Sequence, residues 1–178
     1  EKALVVTQSG TEITMSLAGR AGHADTGLVH EPGDFSNLPA GEAYIAPLEG
    51  SAEGVIVVDG AIADRGEIEE PIRLLVKSGY VEEIEGGKLA EHLEELVEPF
   101  GRPARNIAEL GIGTNPKAKL VGSVLEDEKV LGTVHIAMGD NISMGGKVKV
   151  SSHLDGILLK PTVKIDGRVI MEDGALRI

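Results

Sequence analysis

Turn residues constrain this chain most. Asp-Gly or Ser-Gly pairs recur between short runs rich in β-branched residues: "ALVVTQSGTEITMSLAG" (3–19), "VIVVDGAIADRG" (55–66), "IRLLVKSGYVEEIEGGK" (72–88) and "VKIDGRVIMEDGAL" (163–176). Such a pair supplies the positive φ angles that a tight hairpin turn demands, so each segment predicts strands joined antiparallel. One clear helical period stands beside them. In "GKLAEHLEELVEPFG", Leu89, Leu93, Leu96 and Val97 share an apolar face, glutamates occupy the other, and Pro99 and Gly101 close the helix. His92 lies among those glutamates and reads as solvated. A second helical turn is expected in "VLEDEKVLG" (124–132). Strand and helix do not alternate regularly, so the expected class is α+β: mostly antiparallel β-strands and hairpins with one or two helices, in a single domain over 1–178.

Composition removes several function classes. Apolar residues make up 42% of the 178 but aromatics only 2%, so the core must be built from Val, Ile, Leu and Ala. Two Phe, two Tyr and no Trp leave little to stack on bases, and a net charge of −12 opposes nucleic acid and anionic membrane surfaces. No run of apolar residues is long enough for a transmembrane helix, and a cytoplasmic location is expected. Cysteine is absent, which excludes disulfides, thiolate ligands and a thiol nucleophile; any metal must be held by His, Asp and Glu. One Gln and four Asn beside many Glu, Lys and Arg hint at a thermophilic source. The opening "EKALVVTQSG" is neither a signal peptide nor an initiator methionine, which suggests a fragment of something longer.

The segment "SSHLDG" places His153 and Asp155 two residues apart in a strand-like region. They should leave the same face, with Leu154 on the other. Such a pair is either a structural Asp–His hydrogen bond or two metal ligands. In "GTVHIAMG", Val134, Ile136 and Met138 form one face and Thr133, His135 and Ala137 the other. In "NIAELGIG", Glu109 sits inside an apolar run, with Ile107 and Gly111 expected on its own face. A carboxylate there is costly to bury without a cation; Arg102 or Arg105 could be its partner, or a metal. In "LPAGEAYIAP", Glu42 opens a short strand with Tyr44 on its face. Each residue alone has a structural explanation. Together they make two His and three carboxylates, a set suited to Zn²⁺, Co²⁺, Mn²⁺ or Fe²⁺. The spacing is too long for a local motif, so any convergence must be tertiary. A second pair, His23 and Asp25 in "GHADTG", reads as a loop: a polar turn, or the rim of the same site.

The order "NLPAGEAYIAP", "NIAELGIGTNP", "EDEKVLGTVHIAMG", "SSHLDG" resembles the metal-binding half of the thermophilic-type (M29) metalloaminopeptidases, the aminopeptidase T and S group, from about Gly33 to the C-terminus. The resemblance implies a two-metal centre held by Glu42, Glu109, His135, His153 and Asp155. Glu109 would bridge the ions, and Glu42 would also handle the proton of the attacking water. It implies a peptide or small-molecule substrate, a homodimer with "GILLKPTVKI" (156–165) as a possible apolar surface, and Zn, Co or Mn as the metal. Those peptidases carry a further α/β domain before this region, so the chain is expected to be the C-terminal part of a two-domain protein. They also place a tyrosine near the metals where this chain has Ile142 and Met144. The same superfamily includes a ring-cleaving dihydroxypyridine dioxygenase with one iron held by two His and one Asp, for which His135, His153 and Asp155 would suffice. The leading expectation is a metal-dependent hydrolase of the aminopeptidase type. The alternatives are the iron dioxygenase and a non-catalytic metal-binding scaffold.

Overall fold

The chain reverses at the turn pairs. In the computed structural model, which describes residues 1–62, 66–68 and 70–177, φ is +48° and +80° at Ser78-Gly79, +48° and +81° at Asp166-Gly167, and +47° and +80° at Asp173-Gly174. These are the signs that a type I′ hairpin turn requires. The elements run β1 (Lys2–Val6), β2 (Glu12–Ser16), β3 (His23–Asp25), β4 (Glu42–Ile45), β5 (Glu53–Val58), β6 (Ala61–Ile62), β7 (Gly66–Glu67), β8 (Ile72–Lys77), β9 (Tyr80–Glu85), α1 (Lys88–Val97), β10 (Ile107–Gly113), α2 (Val124–Asp127), β11 (Thr133–Gly139), β12 (His153–Leu159), β13 (Thr162–Ile165), β14 (Arg168–Glu172) and β15 (Ala175–Leu176). One sheet has the order β15-β14-β13-β1-β2-β5-β8-β9, the other β3-β4-β10-β11-β12-β6-β7, and every strand pairing among the described residues is antiparallel. The α+β reading therefore holds.

A single apolar cluster joins the two sheets. Val5, Ile13, Ile56, Ile72 and Leu74 of the first meet Leu110, Val134, Ile136, Met138 and Leu158 of the second, and α1 adds Ala90, Leu93 and Val97. The alternation expected for β11 is what this packing uses: Val134, Ile136 and Met138 enter the core, so Thr133, His135 and Ala137 face away from it. The helix ends as read, in a 3₁₀ turn containing Pro99 and then Gly101 at φ +63°.

Three expectations change. Asp59-Gly60 does not join a hairpin. The Gly60 N–H donates to the Ile157 carbonyl and Asp59 accepts the Leu159 N–H, so the chain crosses from β5 in one sheet to β6 beside β12 in the other. Ala63–Arg65 of the same segment lie outside the described residues. The apolar surface expected in "GILLKPTVKI" faces inward, since Ile157, Leu158 and Val163 are fully buried. The exposed large apolar residues include Leu28, Val29, Phe35 and Leu38 of the long β3–β4 connection. Finally, the β10–β11 register shifts between Ile107 and Glu109. This bulge turns Ile107 into the core with Met138, rather than onto the face of Glu109.

Candidate metal centre

The outer face of the second sheet gathers the polar residues. On β10, Glu109 stands opposite Ala137 and Gly111 opposite His135; on β12, Asp155 stands opposite Ala137 and His153 opposite Gly139. On β4, Glu42 is opposite Gly113 and Tyr44 opposite Gly111. Paired residues of adjacent strands share a face. Glu42, Glu109, His135, His153 and Asp155 thus project from one surface, and the small residues Gly111, Gly113, Ala137 and Gly139 leave room between them. His23 and Asp25 pair with Tyr44 and Glu42, so they belong to the rim of this face and not to a free loop. The His23 ring stacks on Tyr44 with centroids 5.2 Å apart, and Asp25 accepts the Ser36 hydroxyl at 2.8 Å.

The contacts join these residues into one cluster. Glu109 lies between the two imidazoles, with Oε1 3.2 Å from His135 Nε2 and Oε2 3.2 Å from His153 Nε2. His135 Nε2 is also 3.3 Å from Glu42 Oε2. His153 Nδ1–H donates to the Asp140 carbonyl, 2.8 Å away, which leaves Nε2 directed at the carboxylates. Asp155 Oδ1 is 3.7 Å from His153 Nε2, too long for the structural Asp–His hydrogen bond. Neither arginine partners Glu109: Arg105 pairs with Glu94, and Arg102 lies over the Tyr80 ring. Burial alone would raise the Glu109 pKa, but the two histidines hold it far below the usual carboxylate range. Burial would lower both histidines, yet the surrounding carboxylates lift them well above theirs.

Two further residues belong to the cluster. Lys129 is fully buried and places its ammonium 2.8 Å from Glu42 Oε1 and against Glu128. Burial and the Asp155 charge push Glu128 up to about 7, against the pull of Lys129 and His135. In the sequence both sit in "EDEK", a charge run that reads as a solvated helix end. Nothing in that run marks it for burial: α2 spans only Val124–Asp127, and the nearby Leu131 is itself exposed.

The donor set fits a divalent metal. Glu109, His153 and Asp155 offer ligand atoms within 4.8 Å of one another, as do Glu42, Glu128 and His135. Glu42 Oε2 is buried and forms no hydrogen bond among the described residues. Nitrogen and carboxylate oxygen without thiolate suit Fe²⁺, Mn²⁺, Co²⁺ or Zn²⁺. The cluster opens into a cavity of about 370 Å³, also lined by Tyr44, Asp140, Ser143 and Met144.

The NicX family, described as 2,5-dihydroxypyridine 5,6-dioxygenase, matches residues 1–178. A 2,5-dihydroxypyridine 5,6-dioxygenase from Pseudomonas putida is 27% identical over 183 residues, 96% of this chain and 52% of that protein. Aminopeptidase AmpS from Bacillus subtilis is 30% identical over 98 residues, 54% of this chain and 24% of that protein. Among solved structures, the P. putida 2,5-dihydroxypyridine dioxygenase superposes with a TM-score of 0.91 at 25% identity, covering 99% of this chain and 55% of that one. Wild-type AmpT from Thermus thermophilus gives 0.79 at 24% identity, covering 99% and 50%. The chain thus spans at most about half the length of the relatives it matches. These likenesses overturn the aminopeptidase reading. The family match over the whole chain is to a dioxygenase, the peptidase AmpS matches over only half of it, and the likeness to AmpT is one of fold. Hydrolase, protease and peptidase are therefore the wrong reaction class for this chain.

Proposed function

The chain belongs to the NicX family, and from that premise we propose that its site serves an iron-dependent dioxygenase that opens the ring of a small dihydroxylated pyridine. The observation that carries the reading is the gathering of Glu109, His135, His153 and Asp155 on one sheet face of a dioxygenase-family chain. Histidine and carboxylate donors with positions left open are the set used by non-haem Fe(II) oxygenases. His153 and Asp155 with Glu109 would hold the ion, with His135 beside Glu109. Ferrous iron bound there supplies the redox chemistry with dioxygen.

The other residues act on the substrate. A cavity of about 370 Å³ is of the size that takes a small ring. Tyr44 and Ser143 offer hydroxyls to its polar substituents and Met144 offers an apolar wall. Glu128 lines the same cavity and is placed to accept a proton from a ring hydroxyl, while Lys129 anchors its carboxylate and that of Glu42. Asp140 fixes the His153 tautomer through its carbonyl.

The test is oxygen uptake. Protein reconstituted anaerobically with Fe(II) and mixed with 2,5-dihydroxypyridine and oxygen should consume both in equal amounts with loss of the ring absorbance. His153→Ala and Asp155→Ala should lower kcat/KM by roughly 100-fold or more, since loss of an outer-shell partner alone costs about 10- to 100-fold. Iron-loaded protein that leaves the ring intact would sink the reading.

A further inference from the structure

One wall of the cavity is fastened from outside it. The 140–150 segment between β11 and β12 lends Asp140, Ser143 and Met144 to the cavity, facing Glu42 and Tyr44 of β4. Glu49 follows closely after β4 and does not line the cavity. Its Oε1 accepts the Lys147 backbone N–H at 2.7 Å and the Asn141 side-chain amide at 3.0 Å. Its Oε2 pairs with Arg20, and the same guanidinium donates to the Gly145 carbonyl. Asn141 is fully buried and its Oδ1 accepts the Val148 N–H at 2.9 Å. The Asp140 carboxylate takes the Ile142 and Val150 N–H groups, while its carbonyl meets His153 Nδ1. One carboxylate therefore connects both walls of the cavity and, through Asn141 and Asp140, the segment that orients His153.

We propose that Glu49 is a positioning residue: it ties the 140–150 segment to the end of β4 so that Ser143 and Met144 form the specificity wall for a small aromatic ring. The inference rests on the ring-cleaving reading above. Among the cavity's lining residues the carboxylates accept hydrogen bonds and repel negative charge, so recognition of a ring needs an apolar surface and a hydroxyl. Met144 supplies a thioether, which packs well against an aromatic ring, and Ser143 supplies a hydroxyl that can donate or accept. Both lie in a 3₁₀ turn of three residues, Ile142–Met144, which has no regular partner strand. Its placement depends on the side-chain bonds that converge on Glu49 and Asn141. A wall displaced by about 1 Å misorients the ring, at a cost on the order of 10- to 100-fold.

The experiment compares Glu49→Ala and Glu49→Gln with the parent as Fe(II)-loaded proteins. In Glu49→Ala, KM for 2,5-dihydroxypyridine should rise about tenfold, kcat should stay within about threefold, and iron content per chain should not change. Glu49→Gln retains an acceptor for Lys147 and Asn141 but loses the ion pair with Arg20, and should recover part of the lost KM. Amide hydrogen exchange supplies a readout independent of turnover: Lys147 and Val148 should lose protection in Glu49→Ala while the β11 amides keep theirs. An unchanged KM overturns the proposal, as does a joint fall of kcat, KM and iron content in both variants. Should the parent protein turn over no dihydroxypyridine, the functional reading fails, and exchange still decides the clamp. Unchanged protection at Lys147 and Val148 overturns it; selective loss there supports it.

Discussion

His135 reaches Glu42 and Glu109 because Gly111 has no side chain. A Cβ at Gly111 would stand 1.8 Å from His135 Nε2, inside the imidazole itself. The pairing of Gly111 with His135 across β10 and β11 is thus part of the cluster's construction. Gly111→Ala should expel the ring, destabilise the protein by about 1–3 kcal/mol through overpacking, and weaken binding of divalent metal at least tenfold or so. Metal titration and urea midpoints measure both; a variant with parental affinity would show that His135 is dispensable to the site. Glu42, Glu109, His135, His153 and Asp155 could be singled out from sequence because each is a polar residue in an apolar, glycine-flanked strand. Glu128 and Lys129 could not. Their burial depends on the short turn of α2 folding back over β12, and a run of three acids and a lysine carries no trace of that.

At the scale of elements, turn chemistry and alternation carried most of the information. Ser78-Gly79, Asp166-Gly167 and Asp173-Gly174 turn as hairpins because both φ angles are positive there. Asp59-Gly60 shows the limit of that inference, since its hydrogen bonds go to β12 and no local signal distinguishes a sheet crossing from a hairpin. The β10 bulge was equally hidden, because strict alternation cannot register one extra residue. The 140–150 segment has no periodicity at all, and its clamp can be tested by pH. Burial would raise the Glu49 pKa, but the backbone N–H groups of Glu49 and Lys147, the Asn141 amide and Arg20 outweigh it and hold the carboxyl below the usual carboxylate range. A depressed carboxyl contributes stability that is present above the unfolded value and is lost as pH falls through the folded one. The stability difference between the parent and Glu49→Gln should therefore be greatest near neutral pH and shrink below about pH 4. Urea denaturation across that range checks it; a pH-independent difference would mean that the Glu49 charge contributes nothing.

For the whole molecule, the α+β class and the gathering of Glu42, Glu109, His135, His153 and Asp155 on one sheet face were legible, and the reaction class was not. The likeness to AmpT, at a TM-score of 0.79, is one of fold, and a fold does not fix a reaction. A shared set of histidines and carboxylates does not say whether water or dioxygen is the co-substrate. What the set does fix is a crowd of carboxylates that only cations can balance. Glu42, Glu109, Glu128 and Asp155 surround one cavity, with Lys129 the buried lysine among them, in a chain of net charge −12. A divalent ion would take the place of the histidine protons among them in the folded state, whereas the unfolded chain offers no assembled site. A ligand at about 100 times its Kd that binds only the folded state stabilises it by about 2.7 kcal/mol. In a chain of 178 residues that corresponds to a rise in Tm of about 7 °C. Saturating Fe(II) under anaerobic conditions, or Zn²⁺ as a redox-inert substitute, should produce such a rise, and a chelator should reverse it. Asp155→Ala should abolish the shift, whereas Glu49→Ala should retain it because its side chain touches the wall and not the ion. Melting curves identical with and without metal would show that the carboxylates are balanced by Lys129 and the two histidines alone, and that the cluster is not a metal centre.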